Sequence, residues 1–255
     1  MKGLFPHLRA QRNAKPCTGS FPRAWLGAAV LALAAMQLGC TDTPNFSPSA
    51  AISTFAPTDL PVTPTSGADF GTAQPSSEAR LMADGILQSR DHAAADFIIV
   101  DKKEAMLYVF GADGALRGAS PVLLGSARGD DSVPGIGSRP IDQVRPEERT
   151  TPAGRFIAER GRNTQGEDVI WVDYDAAVSM HRVRATNAAE RRLERLATPS
   201  ADDNRISYGC INIPLAFYEA IVAPTFAARR AVVYVLPEVR PLTEVFSFYA
   251  GLTKS

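Results

Sequence analysis

Cys210 is the residue whose type and setting most directly invite chemistry in this 255-residue chain. It stands in the run Arg205-Ile206-Ser207-Tyr208-Gly209-Cys210-Ile211-Asn212. A glycine before it lets the backbone approach a substrate closely. Successive N–H groups around Gly209 and Cys210 can converge on one point, which an oxyanion beside a nucleophile requires. Read as packing alone, the same cysteine is a small apolar side chain in a strand. A thiol also needs a base to act near neutral pH. Of the three histidines, His7 and His92 precede the folded body, and His181 lies within it, upstream of Cys210. The cysteines divide in the same way: Cys17 and Cys40 fall in the leader, so Cys210 has no partner in the body. Such a cysteine is either buried and inert or kept free for reaction.

The elements that must position this pair read mostly as strands. Apolar runs at 97–100 and 106–110 predict two, with a turn at Ala112-Asp113-Gly114 between the second and a third at Pro121 to Leu124. Further strands are expected at 154–158, 169–174, 177–180, leading into His181, and 231–236. Helices are expected from Glu78 to about Ala94, from Asn187 to Ala197, and from Pro214, the last with Leu215, Phe217, Tyr218 and Ile221 facing inward. Residues 125–149, rich in Gly, Pro and charge, read as a long loop of the kind that covers or walls a site. The expected fold is mainly β with a few helices, arranged like a sandwich.

Composition, at 45% hydrophobic and 21% charged residues, is that of a globular protein, and formal net charge is zero. The segment up to Cys40 holds Lys2, Arg9, Arg12, Lys15 and Arg23 and no acidic side chain, so the rest of the chain carries an acidic excess. A mildly acidic body is no footprint for nucleic acid. The basic start followed by the apolar run Ala24 to Leu38 reads as an export signal, or else as a short uncleaved anchor. That run ends in Gln37-Leu38-Gly39-Cys40, which is similar to a lipoprotein cleavage box with Cys40 as the lipidated residue and so as a membrane tether; otherwise Cys40 is incidental to an ordinary signal. Residues 41–95 comprise a Pro/Ser/Thr-rich tether and the first helix, 96–238 the catalytic domain, and 239–255 a C-terminal helix or tail.

The stretch from Asp96 to Leu236 resembles a YkuD-type L,D-transpeptidase catalytic domain. Thr151-Pro152-Ala153-Gly154-Arg155-Phe156 is similar to the family's Thr-Pro-x-Gly-x-Phe segment, and Ser179-Met180-His181 stands where the family has its upstream His. Ser207-Tyr208-Gly209-Cys210-Ile211-Asn212 resembles the Ser-His-Gly-Cys signature, and Leu107-Tyr108-Val109-Phe110 matches an early strand that ends in a Gly turn. The resemblance implies cysteine acyl transfer on peptidoglycan stem peptides with loss of a terminal D-Ala, with His181 as base. It implies that the main-chain carbonyl of Arg182 orients the imidazole and that the N–H groups of Tyr208, Gly209 and Cys210 steady the oxyanion. Ser207 and Asn212 are candidate substrate contacts. Arg182, Arg184 and Arg205 crowd both ends of the site in sequence, either as cations for stem carboxylates or as a solvated basic face. No metal or organic cofactor is implied, and no ligand cluster is visible. Two positions depart from the family pattern: Tyr208 replaces the signature His, and Arg182 replaces the Gly that commonly follows the base. Hydrolysis on the same scaffold and a non-catalytic wall-binding role are the competing readings.

Overall fold

The structure, a computed structural model, describes residues 67–252. The segment expected as an export signal, with Cys17 and Cys40, His7, and the expected tether as far as residue 66 lie outside the described residues.

The chain enters through helix α1 (Ser77–Ser89), which Ser76 caps by accepting the Ala79 N–H at 3.0 Å. Three strands follow, β1 (Phe97–Asp101), β2 (Met106–Phe110) and β3 (Leu116–Pro121), then the short β4 (Leu124–Gly125). After the long loop come β5 (Gly154–Arg162), β6 (Asp168–Asp173) and β7 (Val178–Arg182), then helix α2 (Arg192–Ala197), β8 (Arg205–Ser207) and β9 (Ile211–Ile213). A helical run made of α3 (Leu215–Phe217), a π-turn (Tyr218–Val222) and α4 (Ala223–Thr225) precedes β10 (Ala231–Val235). Two short helices, α5 (Leu242–Val245) and α6 (Ser247–Leu252), end the described chain.

Eight strands form one mixed sheet in the order β3-β2-β1-β10-β5-β6-β7-β9, and β4 pairs in parallel with β8. A bridge between Leu123 and Asn212 carries the β9 edge toward β4. The molecule is thus mainly β with a few helices, and its sheet curls around an inner core. Strand alternation builds that core. Ile98, Val100, Val233 and Val235 point inward, where Met180, Ile211 and Tyr218 meet them. Phe97, Ile99, Val232 and Tyr234 point outward, where Met82 and Ile86 of α1 and Phe246 cover them. Strands β1, β2 and β10 are therefore buried on both faces, which is why their sequences are unbroken apolar runs. Of the two hydrophobic clusters, strands β5, β6 and β7 contribute buried residues to the inner one alone.

Several expected elements differ in detail. The third strand is at 116–121 rather than 121–124, because β2 and β3 form a hairpin whose Ala/Gly-rich return strand has no apolar signature. The helix expected from Asn187 to Ala197 is broken at Arg191, which sits at φ 49°, between a 3-10 turn (Ala188–Glu190) and α2. In the run after Pro214, Tyr218 is fully buried as expected, whereas Leu215 is 57% exposed: the wider π-turn rotates the face, and Val222 and Phe226 complete it.

Candidate active site

Cys210 and His181 meet because β7 and β9 lie side by side. The two strands are parallel, with Met180 opposite Ile211 and His181 opposite Asn212. Val178, Met180, Ile211 and Ile213 point into the inner core, so alternation turns Ser179, His181 and Asn212 to the outer face. Cys210, one residue before β9, falls opposite Ser179 and faces the same way. Its Sγ lies 3.7 Å from the Ser179 hydroxyl and 3.6 Å from the Ala177 carbonyl oxygen.

His181 Nδ1 is 2.8 Å from the Arg182 carbonyl oxygen. A carbonyl can only accept, so Nδ1 carries the hydrogen and Nε2 of the neutral ring is left free to accept a proton. This is the orienting contact that the resemblance implied for Arg182. Burial pushes the Cys210 thiol up, but the neighbouring His181, helped by Ser179, outweighs it, and the thiol lies below its ordinary value. Burial likewise pulls His181 down, while the hydrogen bond and charge of Cys210 and the Arg182 carbonyl prevail and raise it. The two shifts favour the same state, a thiolate beside an imidazolium, which is the reactive form of a cysteine nucleophile.

The turn that presents the thiol is tightly determined. Gly209 has φ +122°, and a Cβ there would lie 2.6 Å from the Thr150 carbonyl oxygen, so only glycine fits. Thr151, fully buried, donates its hydroxyl to the Gly209 carbonyl at 2.8 Å and accepts the Gly125 N–H at 2.9 Å. Ser207 Oγ donates to the Cys210 carbonyl at 2.6 Å, and Asn212 Nδ2 donates to the same oxygen at 3.1 Å. Ser207 and Asn212 thus serve the turn itself, although both also border the cleft above the thiol.

One expected oxyanion donor is corrected. The Gly209 N–H is occupied, donating to Ser207 Oγ at 3.1 Å across the turn. The N–H groups of Tyr208 and Cys210 make no hydrogen bond among the described residues, so they are the donors left for an oxyanion.

The arginines separate by their partners. Arg205 does not reach the cleft: its guanidinium is bonded at 2.6 Å to both Glu238 and the Lys102 carbonyl oxygen, in a buried ionic cluster. Arg182 offers its carbonyl to His181, but its guanidinium is spent on Asp168 and Glu219 and lies over the Tyr218 ring. Arg184 does border the cleft and is ion-paired to Glu167. The cleft over Cys210, about 290 Å³, also has Arg192 in its wall, bonded to Glu190 and at 2.6 Å to Asn212 Oδ1. Ile141 reaches it from the long loop. A second cavity of about 380 Å³ adjoins it, sharing His181 and Arg184. Among the described residues no group of three or more His, Cys, Asp or Glu side chains is placed to hold a metal ion.

Sequence reasoning overlooked Ser179, Arg149 and Arg192 as site residues. Ser179 carried a usable signal, since it stands two before His181 in one strand and so shares its face. Tyr208, 40% exposed, lies at the mouth with the Arg149 guanidinium 3.9 Å above its ring. His92, outside the site, is buried with Nε2 3.2 Å from the Ala112 carbonyl oxygen.

No protein-family model matches the chain, and no curated protein does. Solved structures do resemble it in part. The helical cell shape determining protein Pgp2 from Campylobacter jejuni aligns at 14% identity and TM-score 0.38, over 63% of this chain and 54% of its own. An L,D-transpeptidase from Mycobacterium tuberculosis H37Rv aligns at 16% identity and TM-score 0.35, over 56% and 57%. The catalytic domain of the Enterococcus faecium L,D-transpeptidase aligns at 16% identity and TM-score 0.29, over 56% and 98%. The chain spans about half the length of the first of these. Likeness at this level assigns no activity to the chain.

Proposed function

We propose that the chain is a cysteine acyltransferase of the L,D-transpeptidase type whose acyl donor is a peptidoglycan stem peptide. The observation that carries this reading is the Cys210–His181 pair on the outer face of β7 and β9, with the imidazole oriented by the Arg182 carbonyl. The signature-like residues 151–156 and 207–212 supply the substrate class. Cys210 Sγ attacks the carbonyl that joins the stem's diamino acid to its terminal D-Ala, and His181 holds the thiol proton. The C–N bond breaks, His181 returns the proton to the departing amine, and a thioester remains. An incoming amine then attacks the thioester, loses its proton to His181, and regenerates the thiol as the new amide forms. Water in place of the amine would make the enzyme a carboxypeptidase.

The test is incubation of the full chain with disaccharide-tetrapeptide and mass analysis of the products. Cross-linked dimers short of one D-Ala are expected, absent in Cys210→Ala. Tripeptide as sole product assigns water as acceptor, and unchanged tetrapeptide refutes the reading. The location belongs to the same proposal: Cys40, if lipidated, holds the domain at a membrane through the Pro-rich tether, and Cys40→Ala should then move the protein from the membrane to the soluble envelope fraction.

A further inference from the structure

One cation beside the cleft, stacked on Tyr208 of its wall, has no carboxylate partner among the described residues. Arg184 is paired with Glu167, Arg192 with Glu190, Arg182 with Asp168 and Glu219, and Arg205 with Glu238. Arg149, by contrast, has only neutral partners among the described residues. Its Nε and Nη2 donate to the Val144 carbonyl oxygen at 3.4 and 3.2 Å, and its guanidinium carbon lies 3.9 Å from the centre of the Tyr208 ring. The neighbouring carboxylates are taken: Glu148 by Arg139 and Arg145, Glu190 by Arg192. Arg149 is half-buried, so its charge is only partly hydrated.

The position is built rather than incidental. The Arg149 carbonyl accepts the Ala127 N–H at 3.1 Å, its N–H donates to Pro146, and the next two residues brace the Cys210 turn through Gly209. Tyr208, the platform, is two residues from the nucleophile. A guanidinium held on an aromatic face keeps its outer N–H edge free for a planar anion, and a carboxylate fits that edge in two parallel bonds.

We infer that Arg149, seated on Tyr208, is a substrate-binding residue that anchors a carboxylate of the acyl donor beside Cys210. The inference rests on the acyl-donor reading above for the identity of the substrate, though not for the chemistry of the anchor. The carboxylate is either that of the departing terminal residue or the one carried by the diamino acid; both present the same group. Tyr208 thereby acquires a task in place of the His that the signature would have put there: it holds the arginine in position.

The first measurement needs no peptidoglycan. Cys210 in the full chain is alkylated with iodoacetate, which is anionic, and with iodoacetamide, which is neutral, and labelling is read on the Cys210 peptide by mass. The ratio of the two rates cancels any change in thiolate fraction. In Arg149→Gln the iodoacetate-to-iodoacetamide ratio should fall by about tenfold, with Arg149→Lys between it and wild type. Tyr208→Leu should lower the ratio in the same direction, and Tyr208→Phe, which keeps the ring, should not. Thermal melts of each variant separate misfolding from loss of the anchor, and the Tyr208 pair carries the test if Arg149→Gln does not fold. An unchanged ratio in folded Arg149→Gln overturns the inference. The second measurement uses tetrapeptides amidated at one carboxylate or the other. The wild type should show a raised KM for only one of them, which identifies the source, and Arg149→Gln should not distinguish that one from the parent. Equal KM values for all three peptides in the wild type overturn the inference. Should tetrapeptide prove inert while the alkylation ratio shifts, the acyltransferase reading fails and the carboxylate anchor stands.

Discussion

Two charged regions of this molecule use the same residue types to opposite ends. Beneath the long loop, Lys102 is fully buried and donates to the Gly129 carbonyl at 2.5 Å and to Asp130 and the Thr151 carbonyl at 2.9 Å, with Glu238 3.5 Å away. Asp130 also accepts N–H groups from Glu238, Val239 and Arg240. Burial raises its carboxyl, but the Lys102 hydrogen bond and these N–H groups outweigh it and hold it down at about 2. Every charge there is matched, as burial demands. In the Cys210 cleft the matching is incomplete. Despite burial the thiol lies below its ordinary value and the imidazole above its own, and beside them Arg149 has no carboxylate partner among the described residues. Matched burial fixes a shape, whereas a partly solvated, unmatched group retains free energy of interaction for a ligand. The two regions are joined, because Lys102 holds the Thr151 carbonyl while Thr151 holds Gly209.

The contrast can be tested at each end. The largest effect belongs to the unmatched side. His181→Ala should cut turnover by about a hundred- to ten-thousand-fold with folding retained. It should also move the pH profile of iodoacetamide labelling at Cys210. The thiol is lowered because His181 offsets its burial, so removing the ring leaves burial and raises the thiol. Labelling lost as pH falls should then be lost at a higher pH than in wild type; an unmoved profile would separate His181 from the thiol.

On the matched side, Glu238→Ala leaves Arg205 buried without its anion and weakens the hold on Lys102. Denaturant melts should show a loss of about 3–5 kcal/mol, the usual result of breaking a buried pair. A loss below about 1 kcal/mol would mean that water reaches the cluster and that its charges are not bound as described. Thr151→Val tests the link between the regions. It orphans the Gly209 carbonyl and the Gly125 N–H, at about 1–3 kcal/mol each. Stability and turnover should fall together, since the same hydroxyl supports both the fold and the nucleophile turn. Turnover intact at reduced stability would show that the Cys210 turn holds its shape unaided. The smallest effect is expected at Arg182→Gln. Its ion pairs lie near the surface, where such pairs contribute about 0–1 kcal/mol, and its contact with His181 is made by the backbone, which the substitution keeps. A collapse in turnover there would assign the guanidinium a direct part in the site.

What was readable in the sequence was whatever depends on residue type and local period. The runs at 97–100, 106–110 and 231–236 announce strands buried on both faces, because no polar residue interrupts them. Cys210 after Gly209 and His181 upstream of it stood out by type as candidates for chemistry, whereas His92, expected to precede the folded body, is buried within it. The third strand escaped notice because Ala and Gly in 115–120 form a ladder through backbone bonds that leave no pattern in side chains.

Charge was the quantity that sequence could not resolve. Arg205 stands close before Cys210 and looked like a site cation, yet it pairs with Glu238, 33 residues onward, and does not line the cleft. Arg149 is far from Cys210 along the chain and still packs on Tyr208 of the cleft wall, because the loop returns beside the Cys210 turn. The Gly209 N–H looked available until the turn closed on Ser207. A side chain's type is written at its own position and its period in its near neighbours, so the sequence by itself determined which residues could react and which apolar runs would be strands. A charge or an N–H is free or spent according to what lies within about 3 Å of it, the reach of a hydrogen bond, and only the tertiary structure decided that.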